Sequence, residues 1–210
     1  MHGKNAQIPS QTRVPRTPPA RILLIGPAHR VYVKGISAGD FDGYACPLGT
    51  LGVDRGALAT LVGAGIAHVQ RDAHAEEHCL EVMVPFILQH LGANVPIVPL
   101  LVGNASAAQV ADAIDTIRAP GDLIIVSSDL SHFRPYDEAR RRDLSTVDAI
   151  LTGDVDALGP EDACGYRGIA GVMQLAAREG WDSALIDYRN SGDTAGDRAR
   201  VVGYASIGFF

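Results

Sequence analysis

Cysteine is scarce: Cys46, Cys79 and Cys164 are the only three in 210 residues. They are too few and too scattered for a disulfide framework, and an odd count favours a reducing, cytoplasmic setting. No apolar run approaches the ~18 residues of a membrane span. The stretch Met1 to Ala20 has no apolar core, which excludes a secretory leader there. It is polar and rich in proline (Pro9, Pro15, Pro18, Pro19) and reads as a flexible arm over residues 1–20. Positive charge is not in excess. Against 18 Lys and Arg stand 24 Asp and Glu, a formal net charge of −6, so the chain carries no electrostatic footprint for nucleic acid. The one basic cluster, Arg140-Arg141-Arg142, follows Asp137 and Glu138 in a helical pattern and reads as a solvated face. Repeats, a Walker-type phosphate loop and a dinucleotide fingerprint are all missing. What remains is a globular chain, 47% hydrophobic and 20% charged, expected to meet a small-molecule substrate or peptide ligand and not nucleic acid or membrane.

The pattern of elements is α/β. Apolar runs at residues 21–26, 96–102, 122–128, 183–189 and 200–209 read as strands, with a short one at 66–69. Amphipathic stretches at 55–64, 76–91, 107–118, 136–151 and 166–179 read as helices, the first capped by Asp54. Pro85 either kinks the second of these or marks its true start. Residues 30–50 read as a long loop or short irregular strands. The alternation predicts one layered domain over residues 21–210, with a central mostly parallel or mixed sheet flanked by helices.

Two strands end in chemistry. Leu123-Ile124-Ile125-Val126 stops in Ser127-Ser128-Asp129-Leu130-Ser131-His132, and Ile22-Leu23-Leu24-Ile25 runs into Gly26-Pro27-Ala28-His29. Open α/β sheets bind ligands at the carboxyl ends of their strands, so both histidines stand where a site belongs. Asp129 lies three residues from His132 and is placed to orient that imidazole. A Ser-His-Asp triad with Ser127, Ser128 or Ser131 lacks any nucleophile elbow. Cys164 precedes the helix at 166–179, where a thiolate is stabilised by backbone N–H groups and can ligate a metal, though a lone cysteine is more often a small buried residue. The segment His74-Ala75-Glu76-Glu77-His78-Cys79-Leu80-Glu81 is dense in ligand types. His74-x-x-Glu77-His78 matches the inverzincin spacing, and the bland alternative is a polar helix start. A zinc deaminase reading fails because no Pro-Cys-x-x-Cys follows.

Taken in order, Gly26-Pro27-Ala28-His29-Arg30, Glu77-His78-Cys79-Leu80-Glu81-Val82, Val98-Pro99-Leu100-Leu101-Val102-Gly103, Ser127-Ser128-Asp129-Leu130-Ser131-His132, Ala163-Cys164-Gly165 and Arg189-Asn190-Ser191-Gly192-Asp193-Thr194-Ala195-Gly196 resemble the Memo-like family, grouped under the AmmeMemoRadiSam label. The resemblance implies a fold like that of the class III extradiol ring-cleaving dioxygenases. It also implies a pocket with two histidines and a cysteine as metal ligands. His29 matches one histidine and Cys164 the cysteine. His132 and His78 match pocket residues of the family, and on chemical grounds they are expected to move protons or orient ligands, with Asp129 or Glu81 beside them. A thiolate ligand suits Fe, Cu or Zn over Mg or Ca. On this basis the chain is expected to be a metal-dependent oxidoreductase, dioxygenase-like, acting on a small molecule. The alternative is a non-catalytic binding module that keeps the fold.

The sequence departs from the family pattern ahead of Arg21. A His-x-Gly-Tyr segment there would supply the first ligand, and His2, in Met1-His2-Gly3-Lys4, does not match it. A truncated gene product, a misassigned start and a genuine short form each account for this. Two positions where a further histidine would suit the pattern hold Arg30 and Met83. Loss of a strand with that segment would expose a sheet edge and favour a homo-oligomer.

Overall fold

Ile22, Leu23, Leu24 and Ile25 show no polar alternation because the strand they form is buried on both faces. A computed structural model describes residues 18–210. The arm expected over residues 1–20 therefore lies, up to residue 17, outside the described residues. Among the described residues the chain forms two compact units. Residues 18–127 with 167–172 make the first, and 128–166 with 173–210 the second.

The first unit contains β1 (Arg21–Pro27), β2 (Ile36–Ala38), a small hairpin of β3 (Gly43–Cys46) and β4 (Gly49–Gly52), α1 (Arg55–Gly63) and β5 (His68–Val69). After these come α2 (Arg71–Ala75), a 3₁₀ turn (Glu81–Met83), α3 (Val84–Leu91), β6 (Ile97–Val102), α4 (Ala107–Ile117) and β7 (Asp122–Val126). Its sheet has the order β5-β2-β6-β1-β7. β1 lies parallel to β6, with Ile22 opposite Ile97 and Ile25 opposite Leu100, and parallel to β7 on its other side. β2 runs antiparallel to β6, so the sheet is mixed. The carboxyl ends of β1, β6 and β7 share one edge. At their amino ends Arg21 is a hub. Its Nη1 reaches Asp54 Oδ2 at 2.8 Å, and its Nη2 reaches Asp122 Oδ2 and the Ile117 carbonyl, each at 2.6 Å. Asp54 also caps α1, accepting from the Ala57 N–H at 3.0 Å, as its position predicts.

The second unit contains β8 (His132–Arg134), α5 (Tyr136–Thr152), β9 (Ser183–Asn190) and β10 (Val201–Phe209). Helix α6 (Tyr166–Glu179) contributes its later turns here. The strands form an antiparallel sheet of order β8-β10-β9. The last two strands thus pair locally, as the turn-rich Asn190-Ser191-Gly192-Asp193 between them suggests. They do so in a sheet of their own, and the mixed character of the main sheet comes from β2 instead.

One predicted element is redrawn. Residues 76–91 do not form a single helix: α2 ends at Ala75, residues 76–80 are irregular, and α3 begins at Val84 with Pro85 in its first turn. Proline lacks the N–H that a helix interior needs, and the first turn is where that lack costs nothing. Pro85 therefore marks the start.

Asp143 organises the second unit. This residue of α5 is fully buried; Oδ1 accepts from the Ser131 N–H at 2.9 Å and Oδ2 from the Tyr188 hydroxyl at 2.8 Å. Gly203 on β10 faces it, and no side chain would fit there, because a Cβ would run into the carboxylate. Around this anchor the Leu130 N–H donates to the Gly203 carbonyl and the Gly203 N–H to the Ser131 carbonyl, which fixes the backbone leading into His132. Asp143→Ala leaves two donors without their partner, each worth about 1–3 kcal/mol. A loss of at least ~2 kcal/mol of unfolding free energy is expected in urea denaturation.

Candidate metal centre

His29 follows β1 by two residues at the carboxyl edge of the main sheet. Its partner is Glu77, from the irregular stretch after α2. Glu77 is buried, with 2% of its side chain exposed, yet it is the most heavily bonded side chain in this region. Oε2 accepts from the His29 backbone N–H at 2.6 Å. Oε1 accepts from the backbone N–H groups of His78 and Cys79 at 2.9 and 3.1 Å and lies 3.0 Å from His29 Nδ1. The Nδ1 of His78 stands 3.3 Å from the same oxygen, and the two imidazoles stack with centroids 5.5 Å apart. By claiming the N–H groups of His78 and Cys79, the carboxylate diverts them from helical bonding. This is the local reason the predicted helix is interrupted.

The segment docks closely over the end of β1. The Cys79 thiol donates to the Pro27 carbonyl at 3.1 Å, and a Cβ on Gly26 would come within 2.5 Å of Cys79 Sγ. Cys79, read from sequence as a packing residue, is indeed in the core. Burial pushes the Glu77 carboxyl up, but the hydrogen bonds from His29 and the neighbouring backbone outweigh it and hold the group at about 2, against an ordinary 4.5. Among the described residues, His29, Glu77 and His78 are the one group of three potential ligands whose atoms lie within 4.8 Å of one another. Two imidazoles beside a buried anion are donor types able to hold a metal ion.

The inverzincin reading is overturned. His74 is buried in α2, bonded through Nε2 to Ser37 Oγ at 3.2 Å and packed edge-on to Phe41, while Glu77 and His78 lie beyond the helix and turn to His29. Burial pushes its imidazole down to about 4. Glu81 is exposed at the start of the 3₁₀ turn, and the carboxylate beside His78 is Glu77. Sequence reasoning gave Glu77 a role only in the inverzincin pattern with His74 and none beside His29. Pro85 was the available signal, since a helix starting at Val84 frees residues 76–80 for an irregular, side-chain-bonded path.

The remaining sequence-predicted residues belong to the second unit. Asp129 Oδ2 lies 3.4 Å from His132 Nε2, so this carboxylate–imidazole pair forms as its spacing suggests. Cys164 Sγ accepts from the Asp129 N–H at 3.1 Å, and the Cys164 N–H donates back to the Asp129 carbonyl at 3.2 Å. Ser128 Oγ donates to the Asp129 carbonyl and accepts from the Gly165 N–H, both at 2.8 Å, which ties it to the entrance of α6. Ser131 is fully buried. Among the described residues none of Ser127, Ser128 and Ser131 is seen hydrogen-bonded to His132, so no Ser-His-Asp triad is assembled by them. Phe133, in the middle of β8, has a left-handed backbone (φ 58°) where the pairing with β10 shifts register, and the Arg200 guanidinium lies 4.9 Å from its ring centroid. Among the described residues no helix is long and apolar enough to cross a membrane.

A mixed α/β sheet flanked by helices, with an imidazole–carboxylate group beside the carboxyl end of β1, defines the class: an α/β fold with a group of potential metal ligands at its sheet edge. The model of the Memo-like protein family matches residues 7–208, and the chain belongs to that family. It is 34% identical over 205 residues to a MEMO1 family protein of Desulfurococcus amylolyticus, covering 91% of this chain and 72% of the relative. It is 37% identical over 199 residues to one of Archaeoglobus fulgidus, covering 89% and 75%. A MEMO1 family protein of Methanosarcina acetivorans is 34% identical over 198 residues, covering 88% and 73%.

The pH dependence of stability follows from the two buried groups. His74 is lowered from 6.5 to about 4, so the unfolded chain binds a proton that the folded chain refuses, and stability falls as pH drops through that interval. Glu77 is lowered from 4.5 to about 2, so its contribution is complete above 4.5 and is lost as pH falls towards 2. The two losses overlap in one acid limb, with Glu77 contributing on the order of 3 kcal/mol. Denaturation midpoints measured across this range should fall continuously, and Glu77→Gln should flatten the lower part of the limb.

Proposed function

We propose that this Memo-like protein binds a redox or divalent metal ion, Fe, Cu or Zn, and acts as a dioxygenase-like oxidoreductase on a small molecule. The observation that carries this reading is the convergence of His29, Glu77 and His78 at the carboxyl edge of the sheet. The donor set agrees with such a metal: imidazole nitrogen is offered beside a fixed negative charge. When bound, Fe or Cu supplies one-electron and dioxygen chemistry, and Zn supplies Lewis acidity.

The chain's own groups divide the remaining work. Glu77, desolvated, keeps its charge next to the imidazoles and holds both rings in place. Asp129 faces Nε2 of His132 and orients that imidazole for proton transfer. His78, more exposed than His29, is the second group able to move a proton. The family resemblance makes Cys164 a metal ligand along with His29. A backbone N–H aimed at its sulfur supports a thiolate, the form in which cysteine ligates.

The test is metal analysis of the full chain purified without chelator, followed by titration with Zn(II). His29→Ala and Cys164→Ala should each lower bound metal, with affinity reduced about tenfold to a hundredfold. Unchanged metal content in both variants would overturn the assignment.

A further inference from the structure

We infer that Glu77 is a positioning residue and not a metal ligand: it holds the His29 imidazole with its proton on Nδ1, so that Nε2 is the atom offered to a cation. The inference rests on the metal-binding reading above and assigns atoms within it.

The argument is one of donors and acceptors. Oε2 of Glu77 accepts the His29 backbone N–H at 2.6 Å, and Oε1 accepts two more backbone N–H groups, from His78 and Cys79. A backbone N–H can only donate. A carboxyl surrounded by three such donors could pass a proton of its own only to an imidazole nitrogen beside Oε1, and the nearer is His29 Nδ1 at 3.0 Å, with His78 Nδ1 at 3.3 Å. An ionised carboxylate, in contrast, satisfies all three donors and accepts a fourth hydrogen from the nearest imidazole nitrogen, His29 Nδ1. The neutral imidazole of His29 then carries its proton there, and the lone pair lies on Nε2.

The same count sets Oε1 against serving as a ligand, and Oε2 is held at 2.6 Å by the backbone N–H of the very histidine that the cation would bind. A cation on Oε1 would have to displace the N–H groups of His78 and Cys79, and Cys79 is buried, where its N–H would find no water. It would also take the acceptor that orients His29. Glu77 thus sits behind the imidazole, in the arrangement by which a carboxylate fixes the tautomer and raises the basicity of a metal-binding histidine. The His29 backbone N–H, held by the same carboxylate, sets the position of the residue as a whole. Main chain and ring of one residue are gripped together, and this fixes the direction in which Nε2 points.

The experiment is long-range ¹H–¹⁵N NMR of the imidazoles in the full, metal-free chain above the histidine titration range, with His29→Gln used to assign the His29 signals. The expected result is a protonated Nδ1 and a lone-pair Nε2. A protonated Nε2 overturns the inference. On adding Zn(II), Nε2 should shift to a metal-bound value while Nδ1 keeps its proton, and metallation of Nδ1 overturns it equally. In Glu77→Gln the amide opposes one of the N–H groups, so His29 should lose its single tautomer and Zn(II) affinity should fall about tenfold to a hundredfold. Retention of one Nδ1–H tautomer in that variant counts against Glu77. Should Glu77→Gln fail to fold, the wild-type spectra decide. Should Zn(II) fail to bind the wild type, the metal-binding reading falls, while the metal-free spectrum still decides the role of Glu77.

Discussion

A carboxylate taken out of water is the constraint on which the first unit's site depends. Removing a charge from solvent costs several kcal/mol unless hydrogen bonds replace the lost water. Glu77 replaces that water with backbone N–H groups from two separate stretches of chain, the end of β1 and the segment after α2. The charge is tolerated only while those stretches stay together. Binding of the segment, orientation of His29 and interruption of the helix are therefore one event. Loss of any one of them strands the carboxylate.

The two ends of β1 are held by different means. At its amino end Arg21 joins Asp54 and Asp122, and so ties the strand to the cap of α1 and the start of β7. Arg is suited to this because its planar fork serves several acceptors at once. At its carboxyl end the fixed partner is Glu77. Between them the strand is entirely apolar and buried, packed between β6 and β7. A strand so constrained along its whole length is a rigid mount for the histidine that follows it, and catalytic or binding groups gain precision from such mounts.

The second unit repeats the principle with other residues. Asp143 is a buried carboxylate whose partners are a backbone N–H and a tyrosine hydroxyl, and it fixes the turn ahead of His132 as Glu77 fixes His29. The Asp129–His132 pair and the sulfur of Cys164 are then arranged by backbone contacts around Asp129. In each unit a desolvated acid, remote in sequence from the histidine it serves, supplies the geometry.

Several features were legible in the sequence because they are local. The apolar runs of β1, β6 and β7, the amphipathic α4 and α6, the Asp54 cap and the strand-end positions of His29 and His132 depend on residues within a few positions of one another. The Memo-like motifs also name His29, His78, His132 and Cys164 without reference to space. The role of Glu77 was not legible, because its burial is created by β1 and its hydrogen-bond partners lie far along the chain. The same holds for Asp143, whose setting requires Gly203 and Tyr188. The interrupted helix is the intermediate case. Periodicity alone favoured continuing it, and only the tertiary demand of a buried anion for N–H donors decided that His78 and Cys79 would leave the helix. Short-range patterning thus determined the elements and where the chemistry-bearing side chains stand along them. Which acid meets which imidazole was decided by folding, because desolvation and long-range hydrogen bonding exist only once the chain has closed around them.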